Sequence, residues 1–98
     1  MNLTSKQRAF LKSKAMTIEA TYHVGKNSIT PELTASLEDA LKARELIKVS
    51  VLKNCMDDPA AVAQTVAERT RSTLVQVIGR KFVLFKPDPK DTKYPLPK

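Results

Sequence analysis

Thr73-Leu74-Val75-Gln76-Val77-Ile78-Gly79-Arg80-Lys81-Phe82-Val83-Leu84-Phe85 holds two β-prone runs parted by Gly79-Arg80. Branched and aromatic side chains fill both runs, the composition of strands that pack against a core. Glycine at the first of two turn positions suits a type II′ hairpin, where that residue alone needs a positive φ. Along the second run Phe82 and Leu84 share one face and Val83 and Phe85 the other. One phenyl ring is therefore expected to be less buried than its neighbour.

Upstream of the hairpin, helical and extended patterns alternate. Leu46 to Lys53 places Ile47, Val49 and Val51 on one side and Lys48 and Ser50 on the other, a half-buried strand. Asp57-Asp58-Pro59 then reads as a cap followed by proline, and opens a helix with Val62, Ala63, Val66 and Ala67 at core spacing. Thr30-Pro31-Glu32 repeats the signal one element earlier, ahead of the stripe Leu33, Leu37, Ala40 and Leu41. Thr21 to Val24 is short and β-prone and stops at Gly25. Thr4-Ser5-Lys6-Gln7 reads as a capping box for a first helix that should fade near Thr17, with Phe10, Leu11, Ala15 and Ile18 on one arc and Lys6, Arg8 and Lys12 off it. The order α-β-α-β-α-β-β argues for an α/β layer closed by a hairpin.

After Phe85 the composition shifts. Pro87, Pro89, Pro95 and Pro97 punctuate a charged segment with little to bury, so residues 88–98 are expected to form a flexible tail on a single domain of residues 1–87. Ninety-eight residues with 42% apolar content suit one compact domain with a mainly aliphatic core. Lys and Arg outnumber Asp and Glu by 17 to 10, a net +7 that favours a polyanionic partner through counterion release. Charge of this kind is shared with merely soluble proteins and with proteins of anionic membrane surfaces. The single cysteine, Cys55, fits a reduced, cytoplasmic setting, and neither a secretory signal nor a membrane-spanning segment is expected.

Val24-Gly25-Lys26-Asn27-Ser28, between a strand and a capped helix, is the most informative local stretch for function. Glycine lets a ligand backbone come close, and N–H groups near a helix start attract phosphate. Lys26 adds a charge, and Asn27 adds donors and tolerates a left-handed backbone. An ordinary strand-to-helix turn would carry the same residue types. Elsewhere the chemistry is thin. His23 has no Cys, Asp or Glu at ligand spacing, so no metal or cofactor is expected. Asp57 and Asp58 read as helix capping, and no nucleophile elbow or oxyanion loop accompanies any serine, so no catalytic residue and no enzymatic activity are expected. Tyr22, Phe82 and Phe85 could stack on bases, but strand aromatics more often belong to a core.

The element order, the turn at Gly25, the stretch Glu45-Leu46-Ile47-Lys48-Val49 and the ending Val75 to Pro87 together resemble the CRM domain of YhbY-like proteins over residues 3–87. The resemblance implies a four-stranded mixed sheet with packed helices, similar to the C-terminal domain of bacterial translation initiation factor three. It also implies RNA binding through a GxxG loop like that of KH domains, which clamps nucleotide backbone. That loop falls on Gly25, Lys26, Asn27 and Ser28, with Ser28 where a second glycine is usual. Stand-alone bacterial members are associated with precursors of the large ribosomal subunit. On this reading the protein is a monomeric, cytoplasmic, non-enzymatic partner of ribosomal RNA or pre-50S particles. Lys12, Lys14, Lys48, Arg80 and Lys81 are added as a basic surround on grounds of charge rather than motif. The alternative is a protein-interaction module that docks on ribosomal or assembly proteins, with the tail as a docking strip.

Overall fold

The computed structural model describes residues 2–98. Its elements follow the predicted order: α1 (Ser5–Ala15), β1 (Tyr22–Val24), α2 (Pro31–Arg44), β2 (Leu46–Val51), α3 (Pro59–Thr70), β3 (Thr73–Ile78) and β4 (Lys81–Phe85). Each helix begins where a short polar side chain replaces a missing backbone acceptor. The Thr4 hydroxyl accepts from the Gln7 N–H while the Gln7 side chain accepts from the Thr4 N–H, completing the capping box. Thr30 and Asp58 accept from Leu33 and Ala61 in the same way, each followed by proline at the first helical position.

The four strands form one mixed sheet in the order β1-β2-β4-β3. β1 runs parallel to β2, the two joined through α2, while β4 is antiparallel to both β2 and β3. The hairpin between β3 and β4 closes with a positive φ on Gly79, as a type II′ turn requires. A register irregularity between Leu74 and Gln76 bends β3, and the Arg8 guanidinium from α1 donates to the Leu74 and Val75 carbonyls there.

Two apolar layers result. Val49, Val51, Phe82 and Leu84 meet Leu37 and Leu41 of α2 and Val62 and Val66 of α3 on one face. On the other, Leu46, Val75, Val83 and Phe85 meet Leu11 and Ala15 of α1. Both phenyl rings are fully buried, at 0% exposure each, against the expectation that one would be more open. Cover on the second face is the reason, and part of it comes from the C-terminal segment.

Residues 88–98, expected as a flexible tail, carry no regular secondary structure but lie back on the domain. Tyr94 meets Phe85 edge to face, with ring centroids 6.2 Å apart at 87°, and Leu96 packs beside it with Leu3, Phe10 and Ile18. The Gln7 side-chain amide donates to the Pro97 carbonyl at 3.0 Å. Glu45 makes the anchor. This residue caps α2 at φ +66 and is 3% exposed. Its carboxylate accepts from the Asp88 N–H at 3.2 Å, the Thr92 hydroxyl at 2.6 Å and the Lys93 N–H at 2.9 Å. Its main-chain carbonyl accepts from the Lys86 N–H at 2.8 Å. Prolines exclude a helix or strand here but do not exclude docking, because these donors serve a carboxylate rather than a ladder.

Burial alone pushes the Glu45 carboxyl up, but the Thr92 hydroxyl, the Lys93 and Asp88 N–H groups and the Lys93 ammonium outweigh it and hold the carboxyl below its usual range. A carboxyl depressed by folding contributes stability above its unfolded pKa, and loses it as pH falls through the folded value. Acidification should therefore release the C-terminal segment before the sheet opens. Hydrogen exchange is expected to show the Lys93 amide protected at neutral pH and unprotected in acid. Glu45→Ala should remove that protection at every pH and lower stability to urea by about 2 kcal/mol. Unchanged Lys93 exchange in Glu45→Ala would show that the carboxylate does not hold the segment.

Candidate nucleic-acid interface

The turn predicted as the site closes on itself. The Ser28 N–H donates to the Gly25 carbonyl at 2.9 Å, so Lys26 and Asn27 occupy its two outer positions and both are exposed. Among the described residues, the N–H groups of Lys26 and Asn27 have no protein acceptor. Both residues are exposed at the end of β1, the kind of place where a turn can offer donors to an anion. The start of α2 is not available in the same way. Pro31 has no N–H, Thr30 occupies the Leu33 N–H, and Glu32 adds negative charge in the first turn. At this end of the molecule the amides without a protein acceptor belong to the turn and not to the first turn of the helix.

Ser28 takes a different role from the one its position suggests. Its φ is +55, the left-handed region where a glycine would sit without strain. Its hydroxyl donates to the Asp57 carboxylate in the loop between β2 and α3. The side chain that stands where a second loop glycine is usual is thus occupied in holding the turn to that loop, and the Ser28 side of the turn is acidic. Gly25 is the reverse case. Its φ is not positive, and a Cβ built there would meet only Asn54 at 3.7 Å and Leu52 at 3.8 Å, ordinary contacts. Neither backbone nor packing demands a glycine at this position.

The basic residues named beside the turn separate into three groups. Lys48 and Lys81 belong to neighbouring strands, where Lys48 stands opposite Val83 and Lys81 opposite Ser50. Both side chains therefore rise from the face that α1 partly covers, as diagonal neighbours. Lys12 and Lys14 lie exposed in the last turn of α1 on that same side, with the Lys14 ammonium 5.5 Å from the centre of the Phe10 ring. Arg80 does something else. Its guanidinium donates to the Val51 carbonyl at 3.0 Å and the Leu52 carbonyl at 2.7 Å. That fork ties the hairpin to the loop after β2, so its first role is to brace the platform on which the turn rests.

Sequence reading missed several members of this end of the molecule. Lys53, Asn54 and Met56, all exposed, lie in the loop that Ser28 and Arg80 hold. Met56 is 93% exposed, a large apolar side chain in water beside the turn. Strand register adds His23 and Ile78, which share the open sheet face with Lys81. None belongs to a motif; only pairing brings them together. Tyr22 and the two phenylalanines, considered as base stackers, belong to the cores.

The geometry separates fold from binding at the turn. Gly25→Ala is expected to leave stability unchanged or raise it by up to about 1 kcal/mol, because the backbone conformation suits any residue. Ser28→Val should cost about 2 kcal/mol, since a β-branched side chain is forced into the left-handed region. Urea unfolding of both variants checks this, and a large loss in Gly25→Ala would show a structural demand at that position.

Comparison with known proteins gives this geometry its context. The profile of the CRS1 / YhbY (CRM) domain matches residues 3–86. A Bacillus subtilis protein named "Probable RNA-binding protein YqeI" is 43% identical over 97% of this chain and 99% of its own length. An "RNA-binding protein" of Haemophilus influenzae is 32% identical over 98% of this chain and 96% of its own. The solution structure of a hypothetical protein from Staphylococcus aureus, described as an RNA-binding candidate, superposes with a TM-score of 0.81 at 41% identity, covering 98% of this chain and all of that one. Match, identity and fold agree over essentially the whole length: the chain belongs to the CRS1/YhbY (CRM) domain family.

Proposed function

We propose that this protein is a non-enzymatic, cytoplasmic RNA-binding protein that grips the sugar-phosphate backbone at the turn Gly25-Lys26-Asn27. The observation that carries the reading is Gly25 itself. Its conformation and its neighbours would accept a side chain, so the reason for leaving that space open is the close approach of a ligand backbone. Two unpartnered N–H groups and the Lys26 ammonium beside it suit a phosphate. The names of the relatives support RNA as the nucleic acid. Relative to the sequence expectation, Ser28 moves from contact to support. Lys48 and Lys81 supply further phosphate contacts, Lys12 and Lys14 enlarge the field that draws RNA in, and Arg80 serves mainly as a brace.

Ribosomal RNA in large-subunit precursors is the target that the family resemblance implies, with the protein acting as a monomer. Structured RNA fits the chemistry, because a turn that offers backbone N–H groups, an ammonium and one side-chain amide reads mainly backbone position rather than sequence. The alternative, a module for protein docking with residues 88–98 as the strip, gains no support from the placement of that segment, whose Glu45 and Phe85 contacts are made within the chain.

Lys26→Glu is expected to weaken binding to ribosomal RNA and to lower the slope of log K against log salt by at least about 0.7, the share of one phosphate on a single strand. Gly25→Ala should bind roughly tenfold more weakly at unchanged stability, a loss of about 1.4 kcal/mol. Wild-type affinity and slope in both variants would remove the turn from the interface.

A further inference from the structure

Strand register places four residues in one row across all four strands: His23 of β1 opposite Ser50 of β2, Ser50 opposite Lys81 of β4, and Lys81 opposite Ile78 of β3. At one strand spacing per step the row is about 14 Å long. It lies on the α1 side of the sheet, but beyond the cover. α1 and the C-terminal segment close over Leu46, Val75, Val83 and Phe85, and the apolar side chains stop there. His23 and Lys81 are exposed, Ser50 is half-buried, and Ile78 is 58% exposed. Lys48, two residues before Ser50 on β2, stands between this row and the covered part.

Its chemistry is specific. Lys48 and Lys81 are diagonal neighbours of like charge, and their cross-strand partners are Val83, Ser50 and Ile78, so no carboxylate answers them in the ladder. Like charges close together on a sheet weaken it unless an anion lies between them. His23 and Ile78, at the two ends of the row, offer a planar ring and an apolar surface instead of charge. Phosphate sites flanked by surfaces on which a base can rest match unpaired RNA, whose bases are free to turn outward; a duplex keeps its bases stacked inside. The row is also continuous with the turn, since His23 precedes Gly25 by two residues on the same chain segment.

We propose that this uncovered part of the sheet binds a single-stranded segment of the RNA held at the turn, with Lys48 and Lys81 on its phosphates and the His23 ring stacked on one base. The proposal rests on the RNA-binding reading above and assigns it a second surface and a strand state. Ile78 receives a neighbouring base by apolar contact.

The test compares a short unstructured oligoribonucleotide with a perfect RNA duplex of the same sequence, by fluorescence anisotropy over a salt series. The single strand is expected to bind more tightly than the duplex. Lys48→Ala with Lys81→Ala should lower the salt slope for the single strand by about 1.4, two phosphates at about 0.7 each. Lys81→Ala alone, at an exposed position, should lower it by about 0.7 and guards against a folding defect at Lys48. His23→Ala should weaken single-strand binding roughly tenfold at unchanged slope, and His23→Tyr should restore it, as stacking requires. If these variants bind like wild type while Lys26→Glu loses affinity, the sheet face is not an interface and the turn stands alone. Failure of wild-type protein to bind either RNA overturns both readings. Tighter binding of the duplex overturns the assignment to single strand, and failure of His23→Tyr to rescue overturns the stacking role.

Discussion

Burial of β4 on both faces is the constraint from which the remaining architecture follows. Phe82, Val83, Leu84 and Phe85 are consecutive and each is at most 1% exposed. Consecutive strand residues point to opposite faces, so a run like this cannot be satisfied by one layer of helices. It needs neighbours on both edges, which β2 and β3 provide, and cover on both faces. A fully buried phenylalanine contributes about 2 to 3 kcal/mol, so leaving the Phe85 side open would cost a large part of what a domain this small has to spare. α1 and the docked C-terminal segment are the second layer that β4 requires. The apolar run begins at Phe82, directly after Lys81, and the cover ends at the same place. The boundary between core and open sheet is written into one strand.

That boundary shows which parts of the molecule were legible beforehand. Caps are local: a hydroxyl or carboxylate three residues ahead of its N–H partner is visible in any linear reading, and Thr4, Thr30 and Asp58 all act as predicted. The hairpin is local too, through Gly79. Insertion of β4 between β2 and β3 is not local, because a run apolar on both faces states that a strand is central without naming its neighbours. The contacts of the C-terminal segment are non-local as well. Prolines and charges describe what a segment cannot build for itself, whereas its anchor is a carboxylate more than forty residues away in sequence. Tyr94 and Leu96 were the available signal, two large side chains in an otherwise polar stretch.

The candidate site divides along the same line. Gly25, Lys26 and Asn27 are contiguous, and their arrangement at the end of a strand could be read directly. Charge and place within each element single out the lysines of β2 and β4, and only the antiparallel register turns them into neighbours. Arg80 illustrates the limit of counting charges. A guanidinium at a hairpin tip reads as a free cation, yet carbonyls left unpaired by a nearby loop compete for it, and here they win. Ser28 carries the same lesson in reverse, since its hydroxyl is occupied by Asp57. Charge state is a property of composition; availability is a property of geometry.

Three non-glycine residues hold positive φ, Ser28, Glu45 and Arg71, and each sits where the chain changes direction between elements. Left-handed backbone at such residues costs about 1 to 2 kcal/mol apiece, so each needs a compensating contact. Arg71 ends α3 with its N–H turned back to the Ala67 and Glu68 carbonyls, a purely local solution. Ser28 uses its hydroxyl on Asp57, and Glu45 uses its carboxylate on the C-terminal segment. The latter two solutions reach across the molecule, and they stiffen different regions: one the loop that supports the turn, the other the cover over Phe85. A turn that reads nucleic-acid backbone by position gains affinity when it is already rigid, because less ordering remains to be done on binding. On that ground a serine in place of a glycine is compatible with the proposed role. It restricts φ at the cost of strain, and its hydrogen bond ties the turn to the loop before α3, with Lys26 and Asn27 left exposed.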